Sequence, residues 1–128
     1  MQPSLKPITA TDILIAEPDL AVTDSLAVLF ESAGYHIRTT QSPEQLNELV
    51  RELNPRCLIL DAELPPAKGI EILLELRQQG NDVLTIVIAD RGDIAEAVAA
   101  MRAGANDVLE KPLLGIQLLK RVRHLLNG

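Results

Sequence analysis

The sequence predicts an α/β fold: one open, parallel five-stranded sheet, doubly wound, with helices on both faces. Three observations predict it. From residue 12 onward, short apolar runs alternate with longer segments of helical spacing, the pattern of repeated βαβ units. The hydrophobic 47% of the chain is mostly Leu, Ile, Val and Ala, with one Phe, one Tyr and no Trp, an aliphatic mix that suits a sheet held between helical layers. And 128 residues suffice for one core of ordinary size but not for two.

The first strand is Asp12 to Glu17, centred on Ile13, Leu14 and Ile15. Asp19 can cap the helix that follows, which stops before Gly34 and carries Leu26, Leu29, Phe30 and Ala33 on one face. Tyr35 to Thr40 is the second strand. Ser42, Pro43 and Gln45 supply an N-cap, a proline at the first helical position and a capping-box partner, so a second helix runs to about Leu53, where Asn54 and Pro55 break it. Arg56 to Asp61 is the most uniformly apolar run and is predicted to be central, covered on both faces. Glu63, Leu64, Pro65 and Pro66 cannot be helical. A third helix spans about Lys68 to Gln79 before Gly80, and the fourth strand is Val83 to Ile88. A fourth helix, capped by Asp93, reaches Ala103 before Gly104. Asp107 to Glu110 is the fifth strand; after Lys111 and Pro112 comes a last helix with Ile116, Leu119, Val122 and Leu126 on one side. Residues 1–11 are an extension and 12–128 the domain, with no internal repeat, linker or low-complexity stretch. Phe30 and Met101 are assigned to the core, and neither His36 nor His124 has a partner at metal-ligand spacing.

Charge excludes some functions. A net charge of −6, with no Lys/Arg run and no interleaved aromatics, argues against direct nucleic-acid binding. The locally basic Lys120, Arg121, Arg123 and His124 suit a helix C-terminus, where cations favour the macrodipole. Cys57, alone and inside an apolar run, is a small buried hydrophobe in a reducing compartment. Met1 to Thr11 lacks a signal-peptide apolar region and no segment reaches membrane-spanning length, so a cytoplasmic protein without membrane contact is expected.

In an open α/β sheet the site lies beyond the carboxyl ends of the strands. There stand Glu17, Asp61, Ala89 and Lys111, two carboxylates and an amine brought together from distant parts of the chain. Leu58, Ile59, Leu60 and Asp61, followed by Leu64, Pro65 and Gly69, resemble the signature of receiver domains of two-component response regulators, the CheY-like superfamily. Glu110, Lys111 and Pro112 resemble the Lys-Pro after the family's last strand. Gly92, Asp93, Ala97, Val98, Ala100, Met101, Gly104 and Ala105 are similar to receivers of the nitrogen-fixation and nitrogen-regulatory type, and the likeness covers residues 12–126.

The resemblance implies a flavodoxin-like strand order 2-1-3-4-5 and a phosphoprotein of a phosphorelay in signal transduction. Asp61 would accept a phosphoryl group from a sensor histidine kinase or phosphotransfer protein. Lys111 would be its charge partner. Mg²⁺ would be held by Glu17, Asp61 and Glu63, the last through its backbone carbonyl. The family's cis bond would precede Pro112. Output would pass to a downstream effector domain or protein, with a homodimer interface through the fourth helix, fifth strand and fifth helix. The chain would be no enzyme beyond self-phosphorylation and self-dephosphorylation at Asp61.

Four positions depart from the family pattern, making this an atypical receiver. Pro18 replaces the second acidic residue after the first strand. Ala89 replaces the Ser or Thr that bonds the phosphoryl group, and Val108 the aromatic that swings inward. Glu63 is acidic where the family is variable. Glu17 and Glu63 together, or Asp19 from the first helical turn, are the routes by which metal binding could be restored. A pseudo-receiver that signals by protein contact without phosphorylation is the alternative function. A haloacid-dehalogenase-type phosphatase is disfavoured because Asp61, Ala62 and Glu63 lack its second Asp, and a dinucleotide fold because Glu17, Pro18 and Asp19 contain no glycine.

Overall fold

Every predicted strand and helix forms in the computed structural model, which describes residues 10–127. The order is β1 (Ile13–Ala16), α1 (Leu20–Ser32), β2 (Ile37–Thr40), α2 (Leu46–Leu53), β3 (Cys57–Asp61), β4 (Glu63–Leu64), β5 (Ala67–Lys68), α3 (Gly69–Gln78), β6 (Leu84–Ala89), α4 (Ile94–Arg102), β7 (Asp107–Glu110) and α5 (Gly115–Asn127). The main sheet is parallel in the order β2-β1-β3-β6-β7. This is the expected 2-1-3-4-5 order with a small antiparallel hairpin, β4–β5, inserted after β3. That hairpin was not foreseen. Pro65 and Pro66, which forbid a helix, occupy its turn instead.

β3 is buried along its whole length and lies between β1 and β6, as its unbroken apolar run predicts. Alternate strand residues feed two separate cores. Leu14, Ala16, Leu58, Leu60 and Val87 meet Leu46, Val50, Leu73 and Leu76 of α2 and α3. Ile13, Ile15, Cys57, Ile59, Ile86 and Ile88 meet Leu26, Phe30, Leu118, Leu119 and Val122 of α1 and α5. Phe30 is fully buried, and burial pushes the Cys57 thiol up to about 12. A thiol held neutral is the inert hydrophobe the sequence suggests.

Several boundaries move for local reasons. Tyr35 is not in β2: its N–H closes the α1 end on Phe30 O at 3.0 Å, and pairing with β1 starts at Ile37. Ser42 does not cap α2 directly. Its Oγ accepts the Glu44 N–H at 3.2 Å in a separate turn, and the helix begins after Gln45. Asn54 ends α2 in the left-handed region at φ 45°, a conformation Asn tolerates through its short polar side chain. Asp19 and Asp93 are caps as predicted, accepting the N–H groups of Ala21 and Glu96, each at 2.9 Å. Ile116 faces outward while Leu118 takes its place in the core, and Met101 is half exposed, so its assignment to the core is corrected. His36 pairs with Asp12 rather than with any metal-ligating neighbour, Nδ1 to Oδ2 at 3.5 Å.

Arg77, at the end of α3, ties two loops together. It donates to Gly104 O at 2.8 Å, Asn81 O at 3.0 Å and Thr85 Oγ1 at 3.4 Å. Both carbonyls lie in the loops that follow the ends of α3 and α4. Arg77→Ala is expected to cost about 1 kcal/mol, as charge-assisted bonds at a partly exposed position do. A denaturant titration checks this through its midpoint. Among the described residues no helix is long and apolar enough to cross a membrane.

Candidate functional site

The carboxyl ends of β1, β3, β6 and β7 form one rim, and the residues singled out there do converge. Asp61 ends β3 with only 2% of its surface exposed. Its backbone is fixed from two sides. The Ala62 N–H donates to Ile88 O of β6 at 2.9 Å, and the Gly69 N–H at the start of α3 donates to Ala62 O at 2.8 Å. A Cβ on Gly69 would lie 2.2 Å from Asp61 O, so only glycine lets α3 start this close to the strand.

The carboxylate is held asymmetrically. Oδ1 accepts the Glu63 N–H at 2.8 Å. Oδ2 has Lys111 Nζ at 3.0 Å, yet among the described residues no donor is aligned on it. Lys111 follows β7 and precedes a cis peptide bond to Pro112, as the family pattern implies. Its backbone N–H donates to Ala89 O at 2.9 Å, which places its side chain over the end of β6. Burial works against the ammonium charge, but Asp61, Asp90 and Glu17 outweigh it and raise the Lys111 pKa.

Glu17 continues β1 onto the same rim and is buried. Burial, then the neighbouring Asp61 carboxylate, pushes its pKa up to about 7, against the opposing pull of the Asp19 N–H at 2.6 Å. A carboxyl whose folded pKa exceeds its ordinary value of 4.5 stabilises the fold while protonated. That contribution is complete below about pH 4.5 and is lost as pH rises through about 7. Glu17→Gln, fixed in the uncharged form, should therefore melt above the parent in metal-free buffer near pH 8, with the gain shrinking toward about pH 5. A difference independent of pH would show that Glu17 does not titrate in this window.

Three other positions fall where the sequence put them, with consequences for the chemistry. Pro18 is exposed between Glu17 and the cap Asp19 and offers no side-chain oxygen. Asp19 caps α1, its Oδ1 accepting the Ala21 N–H. Ala89 is fully buried and brings no hydroxyl. Val108 leaves a groove of about 460 Å³, lined also by Ile94, Ala97, Val98 and Met101. The Glu63 side chain pairs with Lys68 Nζ at 2.7 Å. Its carboxylate gathers with those of Asp90 and Glu96, all within 4.8 Å.

Asp90 is the residue sequence reasoning missed. Its Oδ1 lies 3.7 Å from Lys111 Nζ, and the signal was available: an acidic residue directly after a buried strand, beyond Ala89.

The family model for the response regulator receiver domain matches residues 13–123. The chain is a response regulator receiver domain. Response regulator MprA of Mycolicibacterium vanbaalenii is 34% identical over 115 residues, covering 90% of this chain and 50% of that protein. The chain thus spans about half the length of the curated relatives it matches. The receiver domain of NtrX from Brucella abortus superposes with a TM-score of 0.83 at 27% identity, covering 91% of this chain and 99% of that one. FixJ-N superposes at 0.82 with 28% identity, covering 92% and 94%. Receivers of this family are signalling modules of two-component systems that work with histidine kinases and effector domains, and they generally bind Mg²⁺ at an acidic pocket.

For that cation, the buried carboxylates of Glu17 and Asp61 are hard oxygen donors, and among the described residues one Asp61 oxygen has no aligned donor. The set fits with one carboxylate fewer than the family pattern, because of Pro18. A magnesium ion that keeps several waters tolerates such a loss at a cost in affinity.

Proposed function

We propose that this receiver accepts a phosphoryl group on Asp61 from the phosphohistidine of a sensor kinase or phosphotransfer protein. The observation that carries the reading is a buried carboxylate at a strand end with a lysine 3.0 Å from an oxygen on which, among the described residues, no hydrogen-bond donor is aligned. Ionisable groups are kept in such places for chemistry rather than packing. Asp61 Oδ2 attacks phosphorus as the phosphorus–nitrogen bond breaks, the imidazole leaves with that electron pair, and an aspartyl phosphate remains. Lys111 offsets the negative charge, and the Glu63 N–H orients the carboxylate through Oδ1. Glu17, Asp61 and the Glu63 carbonyl would hold Mg²⁺, which supplies charge neutralisation when bound. Hydrolysis of the acyl phosphate at the same residue is the only other reaction ascribed to the chain.

The same reading makes residues 12–128 the signalling domain, residues 1–11 an extension lying largely outside the described part, and the cytoplasm its compartment. Output passes by protein contact. The face of α4, β7 and α5, where Ile94, Val98, Met101 and Ile116 are exposed, is assigned to an effector or a second copy. To test the central claim, the protein is incubated with Mg²⁺ and a small-molecule phosphoryl donor, and intact mass is followed. One phosphoryl adduct is expected, lost in Asp61→Asn. No adduct at millimolar Mg²⁺, or an adduct that survives the substitution, sinks the reading.

A further inference from the structure

Lys111 faces two carboxylates, Asp61 Oδ2 at 3.0 Å and Asp90 Oδ1 at 3.7 Å. Asp90 opens the loop between β6 and α4. Two carboxylates fasten that loop from either side: Glu96 of α4 accepts the Asp90 N–H at 2.9 Å, and Glu110 of β7 accepts the Gly92 N–H at 2.6 Å. Glu96 caps through its own N–H as well, donating to Asp93 at 2.9 Å, so the loop and the first turn of α4 form one hydrogen-bonded unit. The price of this arrangement is the crowding of Glu63, Asp90 and Glu96. Among the described residues, the ion pairs that reach this group come from Lys68 on Glu63 and Lys111 on Asp90. Like charges this close repel unless cations offset them.

We propose that Asp90 is a positioning residue for Lys111, and that their contact couples the charge at Asp61 to the β6–α4 loop. It takes the place of the hydroxyl absent at Ala89 and the aromatic absent at Val108. Added negative charge at Asp61 draws Lys111 inward. Asp90, left beside Glu63 and Glu96 without its cation, swings out of the group and pulls its N–H off Glu96. The first turn of α4 loses its tether, beside the groove at Val108. The trigger rests on the reading of Asp61 as phosphoacceptor; the coupling between Lys111 and Asp90 does not.

Four proteins test the coupling without any donor: the parent, Lys111→Met, Asp90→Asn and the double variant, compared by amide hydrogen exchange at Asp90 and Gly92. In the parent background Lys111→Met should speed exchange at both amides several-fold. In the Asp90→Asn background it should add nothing, and Lys111→Arg, which keeps the charge, should restore slow exchange. The same acceleration in both backgrounds overturns the proposal. Lys111→Gln repeats the cycle should Lys111→Met not fold. A second arm adds beryllofluoride and Mg²⁺ and follows amide chemical shifts. Shifts at Ala62 and Glu63 report occupancy, and those at Asp90 and Gly92 report the relay. The parent should show both and Asp90→Asn only the first. Loop shifts that persist in Asp90→Asn count against the relay. Silence at Ala62 and Glu63 in both proteins would count against phosphoacceptance, and the four-protein cycle would still decide the coupling.

Discussion

Gly69→Ala should destabilise the domain by about 3 kcal/mol, the upper part of the range for overpacking, because nothing around the added methyl can move. Its Cβ would lie 2.2 Å from Asp61 O and 3.1 Å from both Asp61 C and Ala62 Cα. All three are backbone atoms at the end of the central strand, so no rotamer change relieves the clash. α3 cannot back away without losing the bond from the Gly69 N–H to Ala62 O. Gly115 is the instructive contrast: a Cβ there meets Leu29 Cδ2 at 2.7 Å, the far end of a flexible side chain. Gly115→Ala should be nearly neutral, while Gly69→Ala lowers the melting temperature by on the order of 10 °C. The same substitution should slow any reaction at Asp61, since relief of the clash must shift the very peptide that aims the carboxylate. A melting temperature within about 2 °C of the parent would show that α3 is free to retreat.

Pro18→Asp should tighten Mg²⁺ binding by tenfold or more, about 1.4 kcal/mol or above. It adds an anionic oxygen beside Glu17, on the rim where Asp61 stands and where the cation is proposed to bind. For a hard cation, one more carboxylate replaces a bound water and cancels charge that the cleft otherwise has to tolerate. Without metal the effect reverses. A further carboxylate next to Glu17 and Asp61 should lower the melting temperature near neutral pH, and Mg²⁺ should more than restore it, by the linkage between ligand binding and stability. Calorimetric titration of both proteins reads the affinity directly. Equal affinities would mean that the ion does not sit at Glu17 and Asp61.

The fold was legible because its signals are redundant. β3 is announced by Cys57, Leu58, Ile59 and Leu60 and confirmed by the breakers Asn54 and Pro55 before it; α4 is announced by both its cap Asp93 and its terminator Gly104. Where the signal was single, it misled. Ser42 had the chemistry of a helix cap but spends it on a preceding turn. Ile116 fits an apolar stripe that the tertiary packing assigns to Leu118 instead. The β4–β5 hairpin has too few residues to show a period at all.

Of the site, Asp61, Lys111 and Glu17 were legible because strand-end position follows from topology alone. Asp90 was not. Whether a loop carboxylate reaches the cleft depends on how the chain leaves β6, which Glu96 and Glu110 decide through bonds of their side chains to backbone N–H groups. Sequence spacing carries no trace of such contacts; it shows only that an acidic residue directly follows the buried β6. The direction of the Glu63 side chain was hidden for the same reason, being set by Lys68 across the hairpin.

The burial of β3 on both faces has a kinetic corollary. Amides of β1, β3 and β6 should be the last in the molecule to exchange with solvent, opening only when the whole domain unfolds. Asp61 is covalently the end of that slow block, whereas the β6–α4 loop is exposed and opens locally. A charge placed on Asp61 would thus sit on the stiffest segment beside one of the softest, so the loop could respond on its own fast timescale while the strand that carries the charge stays in place.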